Sequence, residues 1–174
     1  IVSPSKWLYD IAKESILQSS ATFHCIPNGV DWDISRTETM QSAKRELKLP
    51  RDSKVILFSA SNTNSNRKGF QELLQCLEKL PEDNSIWLLI TGGTVKFPSK
   101  FNRFNIMDLG YIEKEEDLQR AFRAADIFLF PTLAETQGLV IVEALITGTP
   151  IVSFDVGGVP DMVHHMKTGY LAKY

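Results

Sequence analysis

Residues 126–154 read DIFLFPTLAETQGLVIVEALITGTPIVSF. DIFLFPT carries an unbroken apolar run, Ile127 to Phe130, without the polar alternation of a half-exposed strand, so it reads as a strand buried on both faces. GLVIVEALITG follows as a helix and PIVSF as the next strand. Two such strands joined through a helix form a βαβ unit, in which the strands run parallel and the crossover is right-handed.

The same alternation extends outward. Upstream lie the strand KVILFSA, the helix GFQELLQCLEKL with Phe70, Leu73, Leu74, Leu77 and Leu80 on one face, the strands SIWLLITGG and FNIMDLGYI, and the helix EEDLQRAFRAA. Downstream, VPDMVHHM reads as a short helix and GYLA as a last strand. Strands of this kind separated by helices predict an α/β fold with a doubly wound parallel sheet covered on both sides. Ligands of such sheets bind beyond the carboxyl ends of the strands, which directs attention to the loops after Ala60, Thr91, Leu109, Phe130 and Phe154.

The first residues differ. SPSKWLYDIAKESI opens on Ser-Pro and spaces Trp7, Leu8, Ile11 and Ile16 as an amphipathic helix, and FHCIPNGVD reads as a short strand ending in an Asn-Gly turn. TMQSAKRELKL offers a helix that stops before Pro50. The expected division is residues 1–34, the tail of another lobe with its crossover, and residues 35–174, the principal domain. Ile1 replaces an initiator Met and the chain stops just after GYLAKY, so both ends are expected to be cuts through a longer protein.

With 43% hydrophobic and 23% charged residues, the chain can bury a core. Nineteen Lys and Arg against 21 Asp and Glu leave a net charge of -2, which speaks against nucleic acid as the main partner. Cys25 and Cys76 are far apart and read as reduced packing residues. No apolar run has the roughly 20 residues of a membrane span, and IVSPSKW is no signal peptide, so the expected setting is cytoplasmic.

In the loop after Phe130, Gly138 permits close backbone approach, and the first N–H groups of the helix lack internal partners. Such a helix start suits a diphosphate, since its donors and the positive end of the dipole point the same way. Glu143 interrupts the apolar run LVIVEALI and is costly to bury unless it meets a partner, such as ribose hydroxyls or an internal Arg or water. Glu135 either caps the helix or faces sugar hydroxyls.

At this point the sequence resembles the carboxyl-terminal domain of GT-B glycosyltransferases of the group 1, family 4 type, a Rossmann-like domain. The stretch from LGYIEKEEDLQRAFRAADIFLFPTLAETQGLVIVEALITGTPIVSFDVGGVPDMV to TGYLA carries the resemblance almost throughout, with RKGF and IPNGVD beside it. Its hallmark is two Glu residues separated by seven others, here Glu135 and Glu143. The resemblance implies that Glu135 meets donor-sugar hydroxyls, that Glu143 binds the nucleotide ribose, and that Thr136, Gln137, Gly138 and Leu139 offer backbone groups to diphosphate and sugar. It places Lys68 at the diphosphate, where an ammonium offsets charge on the leaving group. Tyr111 and Ile112 stand where the family holds the base. The family often has a Gly-Arg pair shortly before this lysine, whereas this chain has SASNTNSNRKG, with Arg67 as a substitute donor contact. Gln137 stands where Phe is frequent, and Asp161 where Glu is more common.

The implied activity is retaining transfer of a sugar from a UDP- or GDP-type nucleotide sugar to a glycan or lipid acceptor, in the full-length enzyme with its missing amino-terminal lobe. Neither cofactor nor metal is expected, the fragment alone is expected to be inactive, and peripheral association with the inner face of a membrane is an option for the whole protein. Bacterial surface-polysaccharide assembly is a setting by family analogy only.

Other signals weigh less. Asp31-Trp32-Asp33 imitates a metal-binding Asp-x-Asp but lies outside the strand-tip loops. His24, His164 and His165 lack a second ligand at suitable spacing. Gly92, Gly93, Gly157 and Gly158 read as turn residues, Gly93 also as a border of the nucleotide. Lys44, Arg45 and Lys48 with Glu46 read as a solvated helix face. KVILFSASNTNSN lacks the Gly-x-Gly-x-x-Gly of a nicotinamide-dependent oxidoreductase. An epimerase or phosphorylase on the same two-lobed scaffold, and a non-catalytic nucleotide-binding module, remain as alternatives.

Overall fold

In the computed structural model, which describes residues 1–15, 21–31, 38–59, 66–93 and 95–174, the βαβ unit of residues 126–154 supplies the fourth and fifth strands of a six-stranded parallel sheet. Its strands are β6 (Ile127–Phe130) and β7 (Ile151–Phe154), joined through helix α5 (Leu139–Ile146). The remaining strands are β3 (Lys54–Ser59), β4 (Ile86–Thr91), β5 (Asn105–Asp108) and β8 (Gly169–Ala172). The order across the sheet is β5-β4-β3-β6-β7-β8, with every neighbouring pair parallel. From β3 the chain winds one way and from β6 the other, so the loops after these two strands open onto the switch point.

The apolar runs are buried on both faces, as their lack of alternation requires. On one side Val55, Leu57, Leu89, Phe128 and Phe130 pack under α2 (Met40–Glu46), α4 (Glu115–Ala124) and α5. Their chain neighbours Phe58, Leu88, Ile90 and Leu129 point the other way, onto Leu73 and Leu77 of α3 (Phe70–Lys79) and onto Phe101 and Phe104.

Residues 1–31 stand apart from this sheet. Strand β1 (Val2–Ser3) pairs in parallel with β2 (His24–Cys25) alone, with helix α1 (Lys6–Lys13) between them in the chain. Ser5 caps α1, its hydroxyl accepting from the N–H of Leu8 at 3.3 Å. No residue of α1 is buried, and Trp7 and Ile11 stay exposed. Ile16, Trp32, Asp33 and the expected boundary at residues 34–35 lie outside the described residues.

Three expectations are corrected. The stretch VPDMVHHM forms only a 3-10 turn at Val159–Asp161. Beyond it Met166 takes a positive φ of 62°, and the N–H of Met166 donates to Gly169 O, so the backbone is diverted into a turn that delivers β8. The two cysteines are exposed free thiols rather than packing residues, because Cys25 lies in a sheet with no further strand and Cys76 on the outer side of α3. Lys44 is not solvated. Its side chain is only 3% exposed, and Nζ donates to Ser53 O at 2.7 Å and to Asp126 Oδ2 at 2.9 Å. Asp126 also accepts from Val55 N–H at 2.7 Å, so this cation ties α2 to the starts of β3 and β6. Replacing Lys44 by Met leaves Ser53 O and part of Asp126 without a donor. It should lower stability in urea by about 1–2 kcal/mol, moderated by the exposure of Asp126, whereas Arg45→Met on the exposed face should stay within about 0.5 kcal/mol.

Candidate functional site

The loop that leaves β6, residues 131–138, is gripped from two sides. A 3-10 turn, Asn66–Lys68, comes over it from the β3 side, and Leu133 N–H and the Thr132 hydroxyl donate to Arg67 O at 2.9 and 3.0 Å. Gly69 ends that turn at φ 73°, and a β-carbon there would overlap the Pro131 carbonyl. From the β7 side, Gly157 at φ 55° lies against the Glu135 carbonyl with no room for a side chain, and Gly158 N–H donates to the same oxygen at 2.9 Å. These contacts fix where Lys68 and Glu135 stand.

The Lys68 ammonium lies 3.1 Å from Glu135 Oε2, the side chains being 20% and 11% exposed, and 5.5 Å from the centre of the Phe130 ring. Glu135 Oε1 accepts from Thr136 N–H at 3.1 Å. Glu135 is therefore no helix cap, since α5 begins four residues later behind Gly138, which offers no side-chain cap. The Arg67 guanidinium donates to Ala134 O at 3.2 Å and lies 3.9 Å from Glu135 Oε2, half-exposed at the rim. It faces the same carboxylate as Lys68 rather than water alone.

Beside this pair a cleft of about 330 Å³ is lined by Ser59, Lys68, Thr91, Tyr111, Glu143 and their neighbours, among them Ile112, Gly92 and Phe130. The structure thus brings Lys68, Tyr111, Ile112 and Glu143 to one cavity, with Glu135 bonded to Lys68 at its edge. Tyr111 is 76% exposed. Gly92 rather than Gly93 forms the wall, and its N–H donates to Gly110 O at 2.8 Å, joining the tips of β4 and β5. Ser59, Thr91, Leu118 and Val140 also line the cleft and were missed as site residues. Ser59 and Thr91 end β3 and β4, so the strand-tip rule held the signal that could have found them.

Thr136, Gln137, Gly138 and Leu139 lead into α5, and the N–H groups of Gln137, Gly138 and Leu139 have no hydrogen-bond partner among the described residues. The Gln137 side chain is buried and turns away from the cleft to the backbone of Asn28. Asp161 likewise serves the amino-terminal segment, its carboxylate accepting from Lys6 N–H at 2.6 Å. Glu143 lies one turn inside α5, and its carboxylate has neither hydrogen bond nor ion pair among the described residues. Desolvation first, and the nearby carboxylate of Glu115 second, push its pKa up. A cation and an unsatisfied carboxylate in one cavity, with unpaired N–H groups at the start of the adjoining helix, suit a ligand with an anionic part and hydroxyl donors.

Residues 53–174 match the family model described as glycosyl transferases group 1. The D-inositol 3-phosphate glycosyltransferase of Xylanimonas cellulosilytica is 33% identical over 156 residues, covering 80% of this chain and 36% of that protein. This chain thus spans about a third of the length of the curated relatives it matches. Among solved structures, sucrose-phosphate synthase from Thermosynechococcus elongatus superposes with a TM-score of 0.80 at 24% identity, over 99% of this chain and 44% of that one. Anabaena HepE, in complex with UDP and glucose, gives 0.71 at 20% identity, over 99% and 48%. These likenesses establish the GT-B-type fold.

Glu143 has a testable thermodynamic consequence. A raised folded-state pKa means that the folded chain binds this proton more readily than the unfolded chain. Stability therefore falls as pH rises through the interval above the ordinary glutamate value. Glu143→Gln should raise the melting temperature at pH 7, and the gain should shrink as pH falls toward the ordinary glutamate range. Differential scanning fluorimetry across pH reads this directly, and a lower melting temperature at pH 7 would contradict the assignment.

Proposed function

The chain belongs to the group 1 glycosyl transferases, and from that premise we propose that it is the donor-binding domain of an enzyme that moves a sugar, with retention, from a UDP- or GDP-type nucleotide sugar to a glycan or lipid acceptor. Residues 35–174 form the donor domain, and residues 1–34 close the preceding lobe and cross over. The whole enzyme works in the cytoplasm, in polysaccharide assembly, at the inner face of a membrane where its acceptor is a lipid. Among the described residues no helix is long and apolar enough to cross a membrane.

The observation that carries this reading is the pairing of Lys68 with Glu135 beside a cleft whose other carboxylate, Glu143, has no partner. A diphosphate at the start of α5 meets the free N–H groups of Gln137, Gly138 and Leu139 and draws the Lys68 ammonium toward itself. Glu135 then gives up its cation and turns to the hydroxyls of the sugar. The ribose hydroxyls donate to Glu143 and relieve its unsatisfied charge, while Tyr111 and Ile112 border the base. As the glycosidic bond breaks, negative charge grows on the leaving diphosphate, where Lys68 stabilises it. The ammonium and the helix start supply this positive charge, so no metal takes part. The complex of HepE with UDP and glucose supports a donor of this type. The short span of this chain relative to its relatives supports a second lobe that holds the acceptor, without which the fragment transfers no sugar.

Calorimetry with UDP and GDP in the absence of metal tests the binding half, and Glu143→Ala should weaken the nucleotide that binds by about 1–3 kcal/mol. Unchanged affinity in that variant would remove the ribose role. In the full-length enzyme, Glu135→Ala and Lys68→Ala should lower turnover more than nucleotide affinity, because their contacts strengthen as the transition state forms. Arg67→Ala, at the half-exposed rim, should have the milder effect. Equal losses of rate and affinity in Glu135→Ala would count against its contact with the transferred sugar.

A further inference from the structure

Residues 1–28 are fastened to the loops after β6 and β7, on the side of Gln137 and Asp161 rather than on the cleft side. The Gln137 side-chain amide closes a ring of two hydrogen bonds on the backbone of Asn28: Asn28 N–H donates to Oε1 at 2.9 Å, and Nε2 donates to Asn28 O at 2.9 Å. The second fastening is Asp161, whose carboxylate accepts from Lys6 N–H, at the first turn of α1. Between them Gly158 packs without room for a side chain against the Thr136 carbonyl and Ser5. Gln137 is only 4% exposed, and both ends of its amide are satisfied by one peptide segment. Two bonds to one residue fix the direction of Asn28 as well as its distance, which a single bond or an apolar contact would not do.

The backbone of Gln137 belongs to the loop before α5, where the proposed function puts the diphosphate, and two residues before it Glu135 is the partner of Lys68. A loop held this tightly cannot shift at residues 135–139 without carrying Asn28, nor can Asn28 move without displacing the loop. Both fastenings use positions at which this sequence departs from the pattern it resembles, Gln137 in place of Phe and Asp161 in place of Glu. A Phe at 137 would have no group to offer Asn28.

We infer that Gln137 is a positioning residue whose side-chain amide couples nucleotide occupancy of the loop 135–139 to the placement of residues 1–28, and so to the lobe that precedes the donor domain. The inference rests on the donor-binding reading above. By linkage the coupling is reciprocal: placing residues 1–28 favourably tightens nucleotide binding by the factor by which the nucleotide orders that segment.

Amide hydrogen exchange of the chain, free and saturated with UDP or GDP, tests this in the parent, in Gln137→Leu and in Gln137→Glu. The latter keeps the shape of Gln but sets an acceptor against Asn28 O, and it decides the matter if the Leu variant folds poorly. In the parent, nucleotide should slow exchange at Leu139 and Val140 and also, by about fivefold or more, at residues 24–28. In each variant at saturation, protection should persist at 139–140 and vanish at 24–28. The readout is the ratio of bound to free exchange, which a merely structural loosening would leave in place. Protection confined to residues 135–140 in the parent, or transfer to 24–28 that survives in the variants, overturns the coupling while the donor reading stands. If neither nucleotide gives heat in calorimetry or any change in exchange in the parent, the donor reading fails and the coupling falls with it.

Discussion

The site depends on one steric constraint: the backbone of the loop after β6 is clasped at Pro131 by Gly69 and at Glu135 by Gly157, with no space for a β-carbon at either contact. Both glycines also hold positive φ, which a side chain would strain in any surroundings. The clasp draws three strand tips, of β3, β6 and β7, onto one loop. A cation supplied after β3 and a carboxylate supplied after β6 thereby meet at 3.1 Å although 67 residues separate them. Without close backbone approach the same side chains would be spread along the sheet edge.

Around this clasp the two carboxylates of the site are treated differently. Glu135 is satisfied within the chain by Lys68 and by Thr136 N–H, and it is a poor place for further anions while that pair persists. Glu143 is part-buried near Glu115 with no partner for its carboxylate among the described residues, and desolvation first, then Glu115, pushes its pKa up. A residue that lowers stability and is surrounded by cleft rather than core is best explained by what enters the cleft. In the proposed function the ribose hydroxyls, reaching Glu143 from the cavity side, are the donors it lacks.

The sheet was legible because a strand buried on both faces has no alternative to an unbroken apolar run, and β3, β4 and β6 each show one. The strand-tip rule pointed to the loops, whereas Lys68, Tyr111 and Ile112 came from the family resemblance; the structure sets these three and Glu143 around one cavity. The failures share a cause. Lys44 looks solvated among charged neighbours and is buried because Ser53 and Asp126, distant in sequence, complete its hydrogen bonds. Gly157 and Gly158 do stand in a turn, as read, but the contact that requires them, with Glu135 and Thr136, was not legible. VPDMVHHM has helical spacing, yet its backbone bonds are claimed by the turn into β8. Local pattern records the burial of a segment. It does not record the partner that a polar group or a bare backbone finds across the fold.

The starts of the helices show how stability and site are traded. Helices α1 and α2, away from the cleft, carry side-chain caps from Ser5 and Thr39, each worth about 1 kcal/mol. Helices α3 and α5, which start at the switch point, begin instead on Gly69 and Gly138, both in left-handed conformation and with no side chain to cap them. At Gly69 the reason is steric, since the Pro131 carbonyl occupies the space. At Gly138 a β-carbon would crowd Glu135 and Ile141 at 3.1 Å, a tightness that neighbouring side chains could relieve more easily. The stronger reason there is electrostatic. A Ser or Asp cap would occupy the first N–H donors of α5, and Asp would add a third carboxylate to a cleft edged by Glu135 and Glu143. An uncapped start leaves those donors unpaired among the described residues, and in the proposed function they, with the positive end of the helix, receive the diphosphate at the expense of the local stability a cap would add.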